Sequence, residues 1–265
     1  MKHITFNRRT LSSAALPVAL ALLAGSVYVG RRTPALAQAL STRFPGALSS
    51  QPLAISADGA ILVSANPDND TVSVFDVSQD RNRLIGEVRV GSEPSGVAVV
   101  PNGSRAFIAN TVSGTVTSMQ VYRSGVGGRV LRHIPVGTEP YAVVMTPNGR
   151  KLYVANARSN TISVIDPNRN TVIRTVTVGP EPRGLAVTNN GDANDDDETL
   201  LITHFLALPA PGKVDGEDDS KLGFVTALST RDESLIAKVT LRPMADTGFK
   251  AAGDAIARTD RKSVV

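Results

Sequence analysis

Two acidic loops and one histidine are the residues of this sequence whose chemistry points to a site. The first loop, residues 190–198, reads NGDANDDDE, and the second loop covers about residues 205–222. His204 stands beside the second loop, at a position that the equivalent segments of the chain fill with asparagine. A break in a repeated pattern is where function is sought, because loops on a rigid scaffold often carry binding residues. We therefore predict ligand-binding residues at His204, Asp215, Glu217, Asp218 and Asp219.

The acidic loops have the oxygen chemistry of a calcium site but not its spacing. Ca²⁺ takes about six to eight oxygen ligands, and Asp192, Asn194 and Asp196 alternate as in a helix-loop-helix calcium loop. Asp197, however, stands where that loop requires glycine. A solvated acidic loop is the preferred interpretation, bound Ca²⁺ is the alternative, and no other cofactor is predicted. A transition-metal site is not predicted, because the other histidines are His3 near the N-terminus and His133 on a predicted outermost strand, so the sequence offers no histidine cluster. A structural substitution for the repeated asparagine is the preferred interpretation of His204, and ligand binding is the alternative.

Patterns for covalent or phosphate chemistry are absent from the sequence. There is no Gly-x-Ser-x-Gly elbow and no Gly-x-x-x-x-Gly-Lys loop. The chain has no cysteine, which excludes disulfides, thiolate metal sites, a cysteine nucleophile and a Cys-x-x-Cys-His haem attachment within it. Aromatic residues make up 4% with no tryptophan, which argues against a carbohydrate groove lined by stacking rings. A non-catalytic role is therefore favoured over an enzymatic one.

The elements that must position these residues are short apolar runs separated by turns. Residues 140–181 contain four such runs, at 141–146, 151–155, 161–165 and 171–178. They are rich in β-branched residues and too short for typical helices, so they predict strands. The turn 146–149, Thr-Pro-Asn-Gly, joins the first two runs, because proline presets a turn and glycine takes a left-handed conformation.

This four-strand unit recurs along the chain. The turn glycines Gly59, Gly103, Gly149 and Gly191 are 44, 46 and 42 residues apart. Three copies also share an asparagine and a threonine at fixed offsets, and a Gly-x-Glu-Pro corner precedes three copies. The asparagines are Asn66, Asn110 and Asn156, the threonines are Thr71, Thr115 and Thr161, and the corners are 91–94, 137–140 and 179–182. A period of 40 to 46 residues with four strands predicts the blades of a β-propeller.

The predicted fold class is all-β, a partial β-propeller over residues 50–241. Its four-stranded antiparallel blades cover about 50–91, 94–137, 140–179 and 182–241, and residues 242–265 are the start of a further blade or a tail. Four blades form an open arc with an apolar face uncovered at each end. The preferred interpretation is that the chain is part of a larger propeller. The alternative is that the chain associates with another chain to complete the ring.

One segment of the repeat carries a family resemblance. Residues 153–156, Tyr-Val-Ala-Asn, have weaker copies at 107–110 and 63–66, and they follow the turn Pro-Asn-Gly at 147–149. With these flanks they resemble the YVTN family of β-propeller repeats, with alanine in place of the threonine of the name motif. The resemblance covers about residues 50–190 well and 200–241 loosely. It implies the propeller fold and leaves activity open, because fold alone does not imply function.

The N-terminus resembles an export signal. Residues 1–37 hold a basic start with Lys2, Arg8 and Arg9, an apolar stretch, and small residues Ala35 and Ala37 before a predicted cleavage point. The adjacent arginines weakly resemble a twin-arginine signal, and the alternative to cleavage is an uncleaved membrane anchor. Residues 38–49 are predicted to be a linker. The expected location is periplasmic or extracellular, with a membrane contact only through an uncleaved leader.

Charge argues against nucleic acid as a partner. The formal net charge is +4, but residues 1–37 hold five basic residues and no acid, and the rest of the chain has 23 basic and 24 acidic side chains. A nearly neutral remainder lacks the basic face of a nucleic-acid-binding domain. The predicted function is an exported, non-catalytic propeller that binds a protein or a small ligand. The alternative is a segment of a larger periplasmic enzyme, either lactonase-like or a redox protein with a haem module beyond this chain.

Overall fold

The structure is a computed structural model that describes residues 48–49, 52–214 and 220–241. The predicted export signal at 1–37, most of the predicted linker, and residues 242–265 lie outside these ranges. The predicted ligand residues Asp215, Glu217, Asp218 and Asp219 lie outside them as well. Of the predicted site, the structure therefore describes His204.

The described chain is all-β and forms four antiparallel sheets, which we number as blades 1 to 4. A short strand, β1 (Leu48–Ser49), comes first. Blade 1 contains β2 (Leu53–Ile55), β3 (Ile61–Asn66), β4 (Thr71–Asp76) and β5 (Arg83–Arg89). Blade 2 contains β6 (Pro94–Val99), β7 (Arg105–Asn110), β8 (Thr115–Val121) and β9 (Gly128–Pro135). Blade 3 contains β10 (Pro140–Met145), β11 (Leu152–Asn156), β12 (Thr161–Asp166) and β13 (Thr171–Thr177). Blade 4 contains β14 (Pro182–Val187), β15 (Thr199–His204), β17 (Lys221–Ser229) and β18 (Leu235–Leu241), with β16 (Leu208–Pro209) paired to β17.

Each of blades 1 to 3 is an up-and-down meander in which neighbouring strands pair in sequence order. In blade 4 the strands β14, β15, β17 and β18 form the same meander, and β1 and β16 are added to it. The predicted all-β class is confirmed, and the strands predicted for residues 140–181 agree with β10 to β13 to within one residue at each end. The reason is local: β-branched runs fit a pleated sheet, and the glycine of the 146–149 turn has a positive φ of 74°.

The predicted linker contains one strand that the sequence pattern does not indicate. Strand β1 pairs antiparallel with β14, with Leu48 opposite Val187 and Ser49 opposite Ala186. It therefore adds a strand to the inner edge of blade 4, although it precedes blade 1 in the chain. Two residues are too few to give an alternating pattern, and the pairing partner lies far away in sequence.

Successive blades pack face to face through alternate residues of their strands. In β11, Leu152 and Val154 pack in a cluster with blade 2, whereas Tyr153 and Ala155 pack in a cluster with blade 4. All four side chains have 0% exposed surface. The strand period of two therefore gives every inner blade one face for the preceding blade and one for the following blade.

The outward faces of blades 1 and 4 keep the apolar residues of this pattern, and among the described residues no further blade covers them. On blade 1, Leu53 is 48% exposed, although its register equivalents Val143 and Leu185 are buried. Ile55 is 56% exposed, although its equivalents Met145 and Val187 are buried. On blade 4, Leu201 is 36% exposed, whereas its equivalent Tyr153 is fully buried. The four blades thus form an open arc with an apolar face at each end.

Helical structure in the described residues is limited to two 3₁₀ turns, Pro67–Asn69 and Ser78–Asp80. Within the described ranges, no helix has the length and apolar character needed to cross a membrane.

Candidate functional site

The Gly-x-Glu-Pro corners bring the chain from the outer strand of one blade to the inner strand of the next. In each corner the glutamate has a left-handed backbone, with φ of 51° at Glu93, 51° at Glu139 and 42° at Glu181. This conformation is strained for a residue with a side chain, so the surroundings must hold it. The Glu93 N–H donates to Asp70 Oδ1 at 2.9 Å, and the Glu181 N–H donates to Asn160 Oδ1 at 2.9 Å.

The repeated asparagine ties each corner to the next blade. Asn156 accepts a hydrogen bond from the Gly137 N–H at 3.2 Å and donates from Nδ2 to Thr161 Oγ1 at 3.1 Å and Ser163 Oγ at 2.9 Å. A Cβ on Gly137 would come within 2.7 Å of the Asn156 side chain, so the corner requires glycine there. Asn110 makes the same contact with the Gly91 N–H at 3.2 Å. The shared residues of the repeat are therefore scaffold.

His204 takes the place of this asparagine in blade 4. It is 2% exposed, and its Nδ1 lies 3.0 Å from the Pro180 carbonyl oxygen and its Nε2 lies 3.0 Å from Thr226 Oγ1. Phe224 stacks on the imidazole with ring centroids 4.2 Å apart. By register, Phe224 occupies the position of the repeated threonine and Thr226 that of Ser163. Asparagine and threonine are thus replaced together by histidine and phenylalanine.

Burial keeps the His204 ring neutral. Desolvation lowers its pKa below the ordinary value of 6.5, and the positive charge of Lys238 acts in the same direction. The hydrogen bond with the Pro180 carbonyl oxygen opposes the shift by raising the pKa. A ligand at His204 would have to displace one of the ring's two hydrogen bonds. The binding role of His204 stays a prediction, and its described contacts are those of the blade framework.

The first acidic loop uses its buried carboxylates to hold the adjacent turn of blade 3. Asp195 is 2% exposed and accepts hydrogen bonds from the Asn148 backbone N–H and side chain, both at 2.8 Å, and from the Arg150 N–H at 3.3 Å. Glu198 accepts from the Asn190 N–H at 2.9 Å and from the Thr188 hydroxyl. Among the described residues, no group of three or more acids or histidines is arranged to hold a metal ion. The structure therefore gives this loop an inter-blade contact.

A second buried carboxylate joins blades 3 and 4 on the side of the first acidic loop. Glu233 lies in the turn between β17 and β18, and its side chain is 5% exposed. Lys151 Nζ lies 2.7 Å from it, Arg174 Nη1 3.1 Å, and the Tyr153 hydroxyl donates to it at 3.2 Å. Burial, followed by the charge of Glu233, raises the pKa of the Tyr153 phenol above its ordinary value. This set of paired charges holds the outer hairpin of blade 4 against blade 3.

The corner side of the arc contains a cavity lined by the starts of the inner strands of all four blades. We call it the axial cavity, and its volume is about 550 Å³. Its lining residues are Pro52, Pro67, Glu93, Pro94, Ser95, Gly96, Thr111, Tyr141, Ala142, Arg183 and Gly184. Concave sites that are mostly apolar and contain a few polar groups are typical of ligand binding.

The residue after each corner proline faces this cavity and differs from blade to blade. These residues are Ser95, Tyr141 and Arg183 in blades 2, 3 and 4. The Arg183 guanidinium lies between two rings, with its Cζ 4.7 Å from the Tyr141 centroid and 4.6 Å from the Phe205 centroid. The Ser95 hydroxyl donates to the Tyr141 carbonyl oxygen at 2.8 Å. This hydrogen bond joins blades 2 and 3 at the edge of the cavity.

Sequence reasoning missed Arg183 and Tyr141, although the signal was available. The corners at 91–94, 137–140 and 179–182 are equivalent in the repeat, and the residues that follow them are serine, tyrosine and arginine. A position that varies inside a regular repeat and lies at the start of an inner strand is a candidate for ligand contact. The prediction instead followed the inserted acidic loop.

Comparisons with known proteins agree with the fold. No protein-family model matches the chain, and no curated protein matches it. Kuenenia stuttgartiensis hydrazine synthase matches 73% of this chain and 50% of its own chain, with 23% identity and a TM-score of 0.57. A putative 6-phosphogluconolactonase from Bacteroides uniformis matches 73% of this chain and 55% of its own, with 19% identity and a TM-score of 0.51. The Myceliophteria thermophila Cps50 (Swd1) β-propeller domain matches with 14% identity and a TM-score of 0.45.

The first two likenesses concern the fold alone, because both identities are below 25%. The third has a TM-score below 0.5 and carries no argument. This chain spans about half the length of the hydrazine synthase and lactonase chains that it matches. The resemblance to the YVTN repeat family stays a prediction.

Proposed function

We propose that this chain is a propeller module that binds a small ligand or a protein segment in the axial cavity. The observation that carries the proposal is the contrast between positions. The corner glycines, glutamates and asparagines repeat from blade to blade and hold the framework. The cavity-facing residues Ser95, Tyr141 and Arg183 differ from one another within the same framework. A constant scaffold with varied residues around one cavity is the arrangement of a binding site.

The geometry of the site favours binding by preorganised groups. The inner strands β6 and β10 are packed between two neighbouring blades, so the side chains at their starts have defined positions. Arg183 is held by two rings and Ser95 by a carbonyl oxygen of the next blade. Groups that are ordered before binding lose less entropy when the ligand arrives.

A fragment screen on the full chain tests this function. Fragments are added to ¹⁵N-labelled protein, and binding is mapped from shifts of the backbone amides of residues 95, 96, 142 and 184. Ser95→Phe is the blocking variant, because it places a ring in the cavity. Ile173→Phe is the matched control, because Ile173 is 54% exposed on β13, the outermost strand of blade 3. We expect fragments to shift these amides and Ser95→Phe alone to abolish the shifts. Binding that maps to the end faces of the arc would contradict the proposal.

A second candidate function is a segment of a larger exported enzyme, lactonase-like or carrying a haem module beyond this chain. It is favoured by one observation, which is that the chain spans about half the length of two proteins with the same fold. Hydrolysis of 6-phosphogluconolactone by the full chain would support the lactonase version. A reading frame that continues past Val265 into further blades and a Cys-x-x-Cys-His sequence would support the redox version.

We also propose that the exposed end faces are covered in the working particle, by further blades of a longer chain or by another chain. Leu53, Ile55 and Leu201 occupy positions whose equivalents are buried between blades. Exported placement of the particle follows from the basic and apolar N-terminal sequence. Cell fractionation of a C-terminally tagged chain tests it, and recovery in the cytoplasm at full length would contradict it.

A further inference from the structure

Arg183 is held by its faces and keeps hydrogen-bonding capacity at its edge. Its side chain is 34% exposed, and the Tyr141 and Phe205 rings lie on its guanidinium at 4.7 and 4.6 Å. Its Nε is buried and has no hydrogen-bond partner among the described residues. The nearest carboxylate contact is from Nη2 to Glu181 at 3.8 Å, longer than a hydrogen bond.

Glu181 is engaged mainly with a different arginine. Its Oε1 lies 3.0 Å from Arg158 Nη1, and Arg158 Nε also lies 3.4 Å from Glu139. Arg158 therefore pairs with both corner carboxylates, Glu139 and Glu181. Arg183 keeps only its long contact of 3.8 Å with Glu181. Contact with two rings restricts the plane of the Arg183 guanidinium, and therefore the direction in which its N–H groups point.

The rest of the axial cavity is apolar or already hydrogen-bonded. Pro52, Pro94 and Ala142 provide apolar surface. Three hydroxyl-bearing residues, Ser95, Thr111 and Tyr141, line the cavity, and the first two have acceptors in the framework. Ser95 donates to the Tyr141 carbonyl oxygen at 2.8 Å, and Thr111 lies 3.0 Å from the Pro140 carbonyl oxygen. Charged lining residues are Arg183 and Glu93.

We propose that the axial cavity binds a small organic carboxylate with an apolar body, and that Arg183 binds the carboxylate group. This proposal rests on the proposed function, since it names the ligand class of the same cavity. A carboxylate matches the planar donor fork of arginine with two parallel hydrogen bonds. The proline and alanine surface accommodates the apolar body. Glu93 repels a second negative charge, so a monoanion binds better than a dianion.

Benzoate is the probe, benzyl alcohol is its uncharged counterpart, and phthalate is the dianion. Each is titrated into the ¹⁵N-labelled full chain, with the Arg Nε–Hε signals and the amides of residues 142 and 184 recorded. We expect benzoate to bind at least about tenfold more tightly than benzyl alcohol, because one charge-assisted bidentate pair is worth about that factor. We expect phthalate to bind more weakly than benzoate.

Variants assign the effect to individual charges. Arg183→Gln should reduce benzoate affinity by about tenfold and leave benzyl alcohol unchanged, whereas Arg132→Gln, exposed on β9 and outside the cavity lining, should leave both unchanged. Glu93→Gln should strengthen benzoate binding by about twofold through loss of repulsion. Retained amide dispersion in each variant shows that it is folded, and Arg183→Lys serves as a second variant if Arg183→Gln unfolds.

The outcomes separate the two proposals. If benzyl alcohol and benzoate shift the cavity amides with equal affinity, or if Arg183→Gln leaves benzoate affinity intact, the carboxylate proposal is overturned while the axial binding function stands. If none of the probes and no fragment shifts these amides, the proposed function is itself overturned.

Discussion

The clearest perturbation of the framework is Asn156→Ala. The Asn156 side chain is fully buried and makes three hydrogen bonds, with the Gly137 N–H at 3.2 Å, Thr161 Oγ1 at 3.1 Å and Ser163 Oγ at 2.9 Å. Each lost hydrogen bond of this kind costs about 1 kcal/mol. The free energy of unfolding should therefore fall by about 3 kcal/mol.

Asn66→Ala is the matched control, because Asn66 holds the same place in blade 1 but has no corner hydrogen bond among the described residues. Its Nδ2 donates to Thr71 Oγ1 at 3.0 Å and to Ser73 Oγ at 2.8 Å, and the side chain is only partly buried. The loss should be about 1 to 2 kcal/mol, since two hydrogen bonds disappear and water can replace part of them. The difference between the two variants measures the tie between corner and blade.

Urea unfolding followed by far-ultraviolet circular dichroism measures both variants, and the method suits a chain without tryptophan. The Gly137 N–H also loses its acceptor, so Asn156→Ala should raise hydrogen exchange at the Gly137 amide. An equal or larger loss for Asn66→Ala would refute the argument that the asparagine acts through the corner. An unchanged exchange rate at residue 137 would refute it independently.

Three further predictions concern the other buried polar groups. Asp195→Ala should lower the free energy of unfolding by about 2 kcal/mol, because the Asn148 backbone and side-chain N–H groups lose their acceptor, whereas the exposed Asp197→Ala should change it little. Glu233→Gln should lower the unfolding free energy by about 3 kcal/mol, because it leaves Lys151 without its buried counter-charge. Stability should fall as the pH drops below about 6.5, because the unfolded chain takes up a proton at His204 that the folded chain refuses, and His204→Gln should remove that dependence.

Urea unfolding at pH 7 tests the first two of these variants, and the pH series needs points from pH 8 to pH 5. For the first acidic loop, Ca²⁺ and a chelator should leave the melting temperature unchanged, and an increase with Ca²⁺ that is lost in Asp195→Ala would contradict the structural role.

For Glu233, a loss of unfolding free energy no larger than that of the exposed Arg83→Gln would contradict a buried ion pair. For His204, the sign is fixed by the lowered pKa. The buried neutral imidazole contributes its full stability above the pKa that His204 has in the unfolded chain, and this contribution is lost as the pH falls. A rise in the free energy of unfolding on acidification would contradict burial of His204 in its neutral form.

His204 illustrates how far the sequence reaches. Its oddity within the repeat was visible, and so was the alternative of a structural substitution. The partner that explains it, Phe224, is separated from it by the inserted segment, and register alone aligns the two. The five-residue offset between asparagine and threonine in the other blades does not predict that pair, because the insertion in blade 4 changes the spacing while the strand register stays the same.

The first acidic loop, residues 190–198, is a second case in which the sequence does not predict the contact that explains the residues. Its composition indicates oxygen-rich chemistry, and the sequence could not distinguish a solvated loop from a cation site. Asp195 is instead buried against the turn of the neighbouring blade, 47 residues away from Asn148. Proximity between loops of different blades depends on how the sheets stack, which single-strand patterns do not contain.

What the sequence by itself determined was the strand pattern, the period of the repeat and the four-stranded antiparallel units, because these follow from local turn chemistry and from side chains alternating along a strand. Only the tertiary structure decided which variable residues converge on one cavity. Ser95, Tyr141 and Arg183 are about 40 residues apart in the chain and meet because three inner strands begin around one axis. The sandwich of Arg183 between Tyr141 and Phe205 arises from that convergence, since its two rings come from different blades.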